Sequence, residues 1–207
     1  MPYFLNFLRF PSAGNMSKVL DAMKERHAAV GRPGHITAPV SAANPMGSRP
    51  ALISTVGGFA TLDDIDLLQT QFFENDQMQE RQNAIDAMCD STSYLVSEML
   101  GDGPVSFDGY EPTVVSRLIL EAKVGRTQEL IESALDVHRK TEGNVIRIIS
   151  RSLAGPISRI RMSVFATSLQ ALEDNRVETL KHIGNMPDLL AATPIRHVGR
   201  VVYRSGG

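Results

Sequence analysis

The chain has 207 residues, of which 43% are hydrophobic and 21% charged, and its formal net charge at pH 7 is -2. This length fits one large domain or two small ones, with enough apolar content to fill a core. Because nucleic-acid binding normally rests on a dense positive surface, we expect no nucleic-acid partner. The single cysteine, Cys89, excludes an intrachain disulfide and a cysteine metal cluster.

The first ten residues form an apolar run that Arg9 interrupts. The run has no basic lead-in, so it favours a strand over a signal peptide. No other segment reaches the roughly 20 apolar residues that a membrane helix needs. We therefore expect a cytoplasmic protein that does not bind a membrane.

Hydrophobic periodicity predicts the order strand, helix, strand, strand, helix, strand in the first half of the chain. The segments are Tyr3–Phe10, a helix Met16–Val30 ended by Gly31, His35–Ser41, Ala51–Phe59, helical periodicity from Leu62 towards Met88 with a break near Asn75, and Ser93–Leu100. Residues 101–112 follow and are rich in Gly, Pro and Asp, which is typical of a linker.

The second half shows the same order of elements. Its segments are Val114–Ala122, a helix Thr127–Lys140, Val145–Arg151, Arg159–Phe165, a helix Ser168–Ile183, a short helical piece around Leu189, and His197–Tyr203. We therefore predict two domains, residues 1–100 and 113–207, joined by the linker 101–112.

Self-comparison of the chain predicts an internal repeat. A shift of 111 residues lays Gly14 on Gly125 and His27 on His138 without a gap. The same shift superposes two apolar helix stripes, Val19, Leu20 and Met23 on Leu130, Ile131 and Ala134. Farther along, Phe59–Thr61 matches Phe165–Thr167.

The last match has a physical reason. Thr61 is followed by Asp64, and Thr167 by Gln170, so each threonine has a polar side chain three residues later. This spacing is that of a capping box, in which the two side chains satisfy backbone groups at a helix start. We therefore predict that both copies begin a helix at this point.

A βαββαβ unit covers one face of its sheet with helices, so the other face needs solvent or a second sheet, and two fused copies meet that need together. In the order and length of its elements the chain resembles the dimeric α/β-barrel superfamily, especially its NIPSNAP-like and EthD-like members. The resemblance implies an α+β fold of two tandem ferredoxin-like units whose antiparallel sheets pack face to face. The chain departs from many relatives in having no tryptophan, and no catalytic residue is carried over.

Strand alternation in the second half predicts an arginine-rich face. It holds Arg117, Arg147, Arg151, Arg159, Arg161 and Arg200, whereas Ile146, Ile148, Ile160, Met162, Val164, Val201 and Tyr203 fall on the other face. Two interpretations stay open. The arginines pair with carboxylates such as Glu121 or lie in a wetted layer between sheets, or they form an anion pocket, because a guanidinium binds such groups in a bidentate way. Arg117, Arg147 and Arg161 are the candidate ligand-binding residues.

The candidate catalytic residues are His27, His138 and Asn6. The repeat makes the two histidines equivalent, which is compatible with paired general bases, but each also lies near a helix C-terminus, where an imidazole interacts favourably with the helix dipole. Asn6 corresponds to Arg117 at the same shift. The chain lacks the HExxH spacing and phosphate-loop motifs, so we expect no metal site and no cofactor.

The resemblance implies a small-molecule-binding protein or an enzyme, such as a cofactor-independent oxygenase or isomerase. Its ligand would be small and apolar or anionic, held in an apolar cavity with one or two polar groups. The alternative function is a non-catalytic NIPSNAP-like module that binds another protein. Fused repeats allow a monomer, and open strand edges allow a homodimer.

Overall fold

The computed structural model describes residues 3–40, 51–101 and 107–206 and shows a mixed α+β fold. The strands are β1 Tyr3–Pro11, β2 Gly34–Pro39, β3 Leu52–Phe59, β4 Cys89–Leu100, β5 Val114–Glu121, β6 Ile146–Ser152, β7 Arg159–Ala166 and β8 Ile195–Ser205. The helices are α1 Met16–Val30, α2 Leu62–Phe73, α3 Asp76–Asp86, α4 Thr127–Lys140, α5 Leu169–Leu180 and a 3₁₀ helix Met186–Leu189. Residues 102–106 of the predicted linker, and the predicted strand end Ser41, lie outside the described residues.

The chain divides into two compact units. Unit 1 comprises Met1–Val96 and Val201–Gly207, and unit 2 comprises Ser97–Arg200. No helix of the described residues is long and apolar enough to cross a membrane.

Unit 1 pairs β1, β3 and β2 as an antiparallel sheet. The register puts Leu5 opposite Val56 and Phe7 opposite Ser54, so these side chains project from one face. Helix α1 covers part of that face, because its Val19 and Met23 are buried in one cluster with Ile36 and Leu52. A second cluster holds Leu5, Val56, Phe59 and Ile65.

The predicted helix α1 is confirmed at both ends. It begins at Met16 and stops at Gly31, whose positive φ of 64° supplies the left-handed residue that often ends a helix. The predicted break near Asn75 is also confirmed, because the Asn75 side chain accepts a hydrogen bond from the Met78 backbone N–H and starts α3. Local side-chain chemistry therefore sets these boundaries.

Of the two predicted capping boxes, the first is confirmed and the second is wrong. Asp64 N–H donates to Thr61 Oγ1, and the Thr61 N–H donates back to the Asp64 carboxylate. In the second case the N-cap is Ser168, whose hydroxyl accepts from the Ala171 N–H at 3.0 Å. The helix begins one residue later than Thr167 requires.

Unit 2 has the strand order β8–β5–β7–β6–β4, to which β8 contributes Ile195–Arg200 and β4 contributes Ser97–Leu100. One face of this sheet packs on α4 and the 3₁₀ helix in an apolar core. The core includes Leu120, Leu130, Ile131, Ala134, Val137, Ile149, Ile160 and Leu189. The strand register places its sheet-side members, Leu120, Ile149 and Ile160, on the same face of the sheet.

The predicted single arginine face of the second half is wrong. Ile148 pairs with Ser163, not with a residue of the apolar face, so β6 is one residue out of phase with the prediction. As a result Arg147 projects from the same face as the core residue Ile149. Arg117, opposite Ser163, projects from the other face.

Candidate ligand-binding cavity

Unit 1 contains a cavity of about 370 Å³ between its sheet and its helices. Small-molecule sites are commonly roughly 300–1,000 Å³ in volume. The wall includes Leu5, Phe7, Arg9, Ser54 and Val56 from the sheet, Met23, Arg26, His27 and Val30 from α1, Leu68, Gln69, Phe72 and Phe73 from α2, Met78, Gln82, Asn83 and Asp86 from α3, and Thr92, Ser93 and Tyr94 from β4.

Aromatic side chains line part of the cavity and its rim. Phe7 stacks with Tyr94 at a centroid distance of 5.9 Å, and Phe72 meets Phe73 edge to face at 5.4 Å. Phe73 and Tyr94 are 68% and 53% exposed, so they lie where the cavity meets solvent. Such rings suit a ligand with an aromatic surface.

Arg9 brings a guanidinium to the wall from β1. It is 2% exposed; its Nη2 donates to Gln82 Oε1 at 3.0 Å, and its Nε lies 3.4 Å from Asp86 Oδ1. Burial lowers the pKa of Arg9, and the Asp86 carboxylate opposes that shift. Arg9 is therefore a buried cation that α3 holds in place.

Arg26 brings a second guanidinium from α1. Its guanidinium carbon lies 5.0 Å from the centroid of the Phe7 ring and 5.8 Å from that of Phe72, which are cation–π distances. Its Nη1 is buried without a hydrogen-bond partner among the described residues. Burial, and then the charge of Arg9, lower the pKa of Arg26 to about 10.

The charges of the wall do not balance. Among the described residues of the wall, Arg9 and Arg26 face one carboxylate, Asp86, which also accepts a hydrogen bond from Gln82 Nε2 at 2.6 Å. With His27 neutral, the wall carries a net charge of +1. A cationic, largely apolar cavity can hold an anion or stabilise an oxyanion that forms in it.

Of the candidate catalytic residues, His27 lines this cavity. Its Nε2 lies 3.1 Å from the Thr55 carbonyl oxygen, and its Nδ1 lies 2.9 Å from Ser205 Oγ. Its ring is 2% exposed and tilted against Tyr203. Both nitrogens are thus engaged by unit 1 itself.

Asn6 and His138 lie elsewhere. Asn6 is buried, but it alternates with Leu5 and Phe7 along β1 and so projects from the opposite face, where its Oδ1 accepts from Thr55 Oγ1 at 2.9 Å. His138 is a half-buried residue of α4 in unit 2. Burial, together with Arg147, lowers the pKa of His138.

The structure brings two of the three predicted ligand-binding arginines together. Burial, and then the charge of Arg161, lower the pKa of Arg117 to about 9, and burial lowers that of Arg161 to about 10. His197 lies opposite Arg117 in the sheet. Arg147 is separate, because it projects from the other face and donates to Asn175 Oδ1 at 2.9 and 2.6 Å.

The sequence prediction missed Arg9 and Arg26 as site residues. The position of each arginine within an apolar pattern could have indicated its role. Arg9 continues the alternation Leu5, Phe7 that faces the helices, and Arg26 follows Met23 by three residues, within the apolar side of α1. A charged residue at an otherwise apolar position of two facing elements is the pattern that would have indicated the site.

No family model and no curated protein matches the chain. Solved structures do. An anthrone oxidase-like protein has 12% identity over 99% of this chain and 93% of its own, with a TM-score of 0.65. A candidate monooxygenase from Fusobacterium nucleatum has 8% identity over 99% and 94%, with a TM-score of 0.68. A haem-binding protein from Thermus thermophilus has 12% identity over 98% and 91%, with a TM-score of 0.52.

At these identities the likeness shows a shared fold and nothing finer. The α+β class that the resemblance implies is confirmed, and the superfamily itself stays a prediction. The neighbours include oxidase-like, monooxygenase-like and haem-binding proteins, so the fold supports several chemistries and the site must decide among them.

One neighbour binds haem, which raises the question of whether the histidine of the unit 1 cavity could ligate haem iron. Haem iron takes an axial ligand such as His, Cys, Met or Tyr. The histidine of the unit 1 cavity, His27, has both nitrogens engaged by Thr55 and Ser205, so it does not fit an axial role. In the described part of the chain no three His, Cys, Asp or Glu side chains are grouped to hold a metal ion.

Proposed function

We propose that the protein binds a small, largely apolar molecule in the unit 1 cavity and acts on it as a cofactor-independent oxygenase or isomerase. The observation that carries the proposal is the pair of guanidinium groups, Arg9 and Arg26, in an aromatic cavity between sheet and helices. The oxidase-like and monooxygenase-like neighbours of the same fold support the reaction class.

The residues of the wall have separable roles in such a reaction. The apolar and aromatic side chains exclude water from the bound molecule, which strengthens electrostatic interactions inside the cavity. Arg26 stabilises negative charge on a substrate oxygen, such as that of an enolate or phenolate. Gln82 and Asp86 position Arg9 through its Nη2 and Nε.

A neutral fluorescent probe, N-phenyl-1-naphthylamine, tests whether the cavity binds small molecules. We expect saturable binding to the wild type. Leu68→Trp places a bulkier side chain in the wall and should weaken binding, whereas Leu67→Trp on the same helix, at a side chain 59% exposed, should not. Equal binding by the two variants would contradict the proposed site.

The finer assignments also stand as proposals. They are the NIPSNAP-like or EthD-like subtype, the tandem ferredoxin-like repeat, and the choice between monomer and homodimer. Native mass spectrometry of gently purified protein reports the assembly and any retained molecule together. A retained small molecule supports the proposed function, and a stoichiometric protein partner with none retained supports the alternative of an interaction module.

A further inference from the structure

We infer that the ligand of the unit 1 cavity is an aromatic molecule with an anionic group, and that Arg26 binds this group through its free N–H edge. The inference rests on the proposed function, because it names the chemical class of ligand for the same cavity. Four observations carry it: the partners of each arginine, the charge of the wall, its aromatic lining, and the residues that occupy the matching positions in unit 2.

The two arginines differ in what satisfies them. Arg9 already has Gln82 Oε1 and the Asp86 carboxylate within reach. Arg26 makes cation–π contacts with Phe7 and Phe72, and these use the flat face of its guanidinium. The N–H groups lie in the edge of that plane, and Nη1 is buried without an acceptor among the described residues. Arg26 is thus the cation that can receive a ligand.

Charge determines the kind of ligand. A buried guanidinium is stable only if paired or hydrogen-bonded, and in the part of the wall that the structure describes Asp86 is the one carboxylate for both arginines. A neutral acceptor would satisfy Nη1 but leave the excess positive charge. A carboxylate, sulfonate or phenolate accepts the hydrogen bond from Nη1 and also neutralises the excess positive charge. A carboxylate or sulfonate can in addition bind in a bidentate way.

The lining determines the body of the ligand. Phe7, Phe72, Phe73 and Tyr94 present ring surface from three elements, and Phe73 and Tyr94 do so at the rim. Ring against ring is favoured over ring against aliphatic chain by offset and edge-to-face contacts. An aromatic acid or phenol therefore matches the wall better than a fatty acid does.

The matching positions in unit 2 show that this fold does not need arginine there. At the 111-residue shift predicted from the sequence, α1 and α4 begin together, at Met16 and Thr127. Arg9 then corresponds to Leu120 and Arg26 to Val137, and both of these are buried in the apolar core of unit 2. Apolar residues can fill such positions, so the charges in unit 1 need another explanation than folding.

Two probes with one ring skeleton test the inference. The anionic probe is 1-anilinonaphthalene-8-sulfonate, and the neutral probe is N-phenyl-1-naphthylamine, which lacks the sulfonate. We expect the wild type to bind the anionic probe more tightly. Arg26→Gln should weaken that binding by about tenfold or more, as loss of a hydrogen bond from a charged group predicts, and should weaken binding of the neutral probe far less.

Lys24→Gln is the matched control. It removes the same charge from the same helix, at a side chain that pairs with Asp21 and does not line the cavity. It should leave both probes bound as in the wild type. A parallel measurement needs no variant: 1-naphthoate should displace the neutral probe from the wild type at a lower concentration than 1-naphthalenemethanol does.

The outcomes separate the two claims. If the neutral probe binds and Leu68→Trp weakens it, but Arg26→Gln leaves the anionic probe unaffected, the inferred ligand class is wrong and the cavity still binds small molecules. If neither probe binds the wild type, the proposed function fails as well. Should Arg26→Gln not fold, equal displacement by the naphthoate and the alcohol would overturn the inference.

Discussion

His27 Nδ1 lies 2.9 Å from Ser205 Oγ, which joins the last turn of α1 to the final residue of β8. The two residues are 178 positions apart in the chain. The same hydroxyl lies 2.9 Å from the Arg32 carbonyl oxygen, and the other ring nitrogen meets the Thr55 carbonyl oxygen. The imidazole therefore connects three segments of unit 1.

This arrangement predicts a structural cost for removing the imidazole. His27→Phe keeps a ring but deletes both hydrogen bonds, and we expect the free energy of unfolding to fall by about 1–3 kcal/mol because buried acceptors lose their partner. Urea unfolding measures the change. His138→Phe is the control at the predicted repeat position, since His138 Nδ1 has no hydrogen-bond partner among the described residues. Equal losses in the two variants would contradict the role assigned to His27.

Gly34 lies against the same histidine. A Cβ at this position would be 2.1 Å from the Thr55 carbonyl oxygen and 2.8 Å from the His27 ring. We expect Gly34→Ala to destabilise the protein by about 3 kcal/mol or more, since backbone must move to accommodate it. Gly57→Ala, whose Cβ would meet the Pro33 oxygen at an ordinary 3.5 Å, should cost far less. Thermal unfolding of the two variants side by side decides the point.

The start of α5 provides a test at single-residue resolution. Ser168→Ala removes the hydroxyl that accepts the Ala171 N–H, and an N-cap of this kind is worth about 1 kcal/mol. Thr167→Ala alters the exposed neighbour that the sequence pattern indicated and should have little effect. If chemical denaturation showed Thr167→Ala to be less stable than Ser168→Ala, Thr167 and not Ser168 would be the N-cap, as the sequence pattern predicted.

The anion pocket predicted at Arg117 and Arg161 remains a prediction for unit 2. We expect phosphate to raise the Tm of the wild type more than that of the double variant Arg117→Gln, Arg161→Gln. The control is Arg151→Gln with Arg159→Gln, which removes two cations that pair at the surface with Glu98 and Glu121. If phosphate raised the Tm of all three proteins equally, the effect would be the general stabilisation that this salt gives to folded proteins, and the predicted pocket would be contradicted.

Two histidines of unit 2 predict a pH dependence of stability. Burial lowers the pKa of His138 and of His197, with Arg147 and Arg117 as the next causes. The unfolded chain then binds more protons, so stability is complete above about pH 6.5 and is lost as the pH falls towards the folded pKa values.

The slope should not exceed about 1.4 kcal/mol per pH unit for each histidine, and solvent around the half-buried rings reduces it. Urea unfolding between pH 5 and 8 measures it. His138→Gln should flatten the dependence and leave the share of His197. If the slope of stability against pH were unchanged in this variant, the lowered pKa of His138 would not contribute to the pH dependence of folding.

Local features of the sequence predicted the elements well. The bounds of α1 and α4 are confirmed, because apolar spacing and the glycine after Val30 are properties of neighbouring residues. The mixed α+β fold class is also confirmed, since it follows from the order of these elements.

Features that depend on pairing were harder to predict. A shift of one residue in β6 separates Arg147 from Arg117, and no local pattern fixes that register. The cavity was hard to predict for the same reason, because it depends on contacts between distant parts of the chain. Arg9 meets Gln82 across 73 positions of the chain, so the functional meaning of an arginine inside an apolar strand becomes visible only when α3 is in place.

The like charges of Arg9 and Arg26 also affect the cavity before anything binds. Because the charge of Arg9 opposes that of Arg26, an anion bound at Arg26 offsets this repulsion in addition to making its own contacts. Because a ligand that binds the folded protein stabilises it by mass action, occupancy of the cavity raises the melting temperature. A collection of aromatic acids can therefore be ranked by the melting temperature that each one confers, without knowledge of the reaction, and the ranking should compress as ionic strength rises.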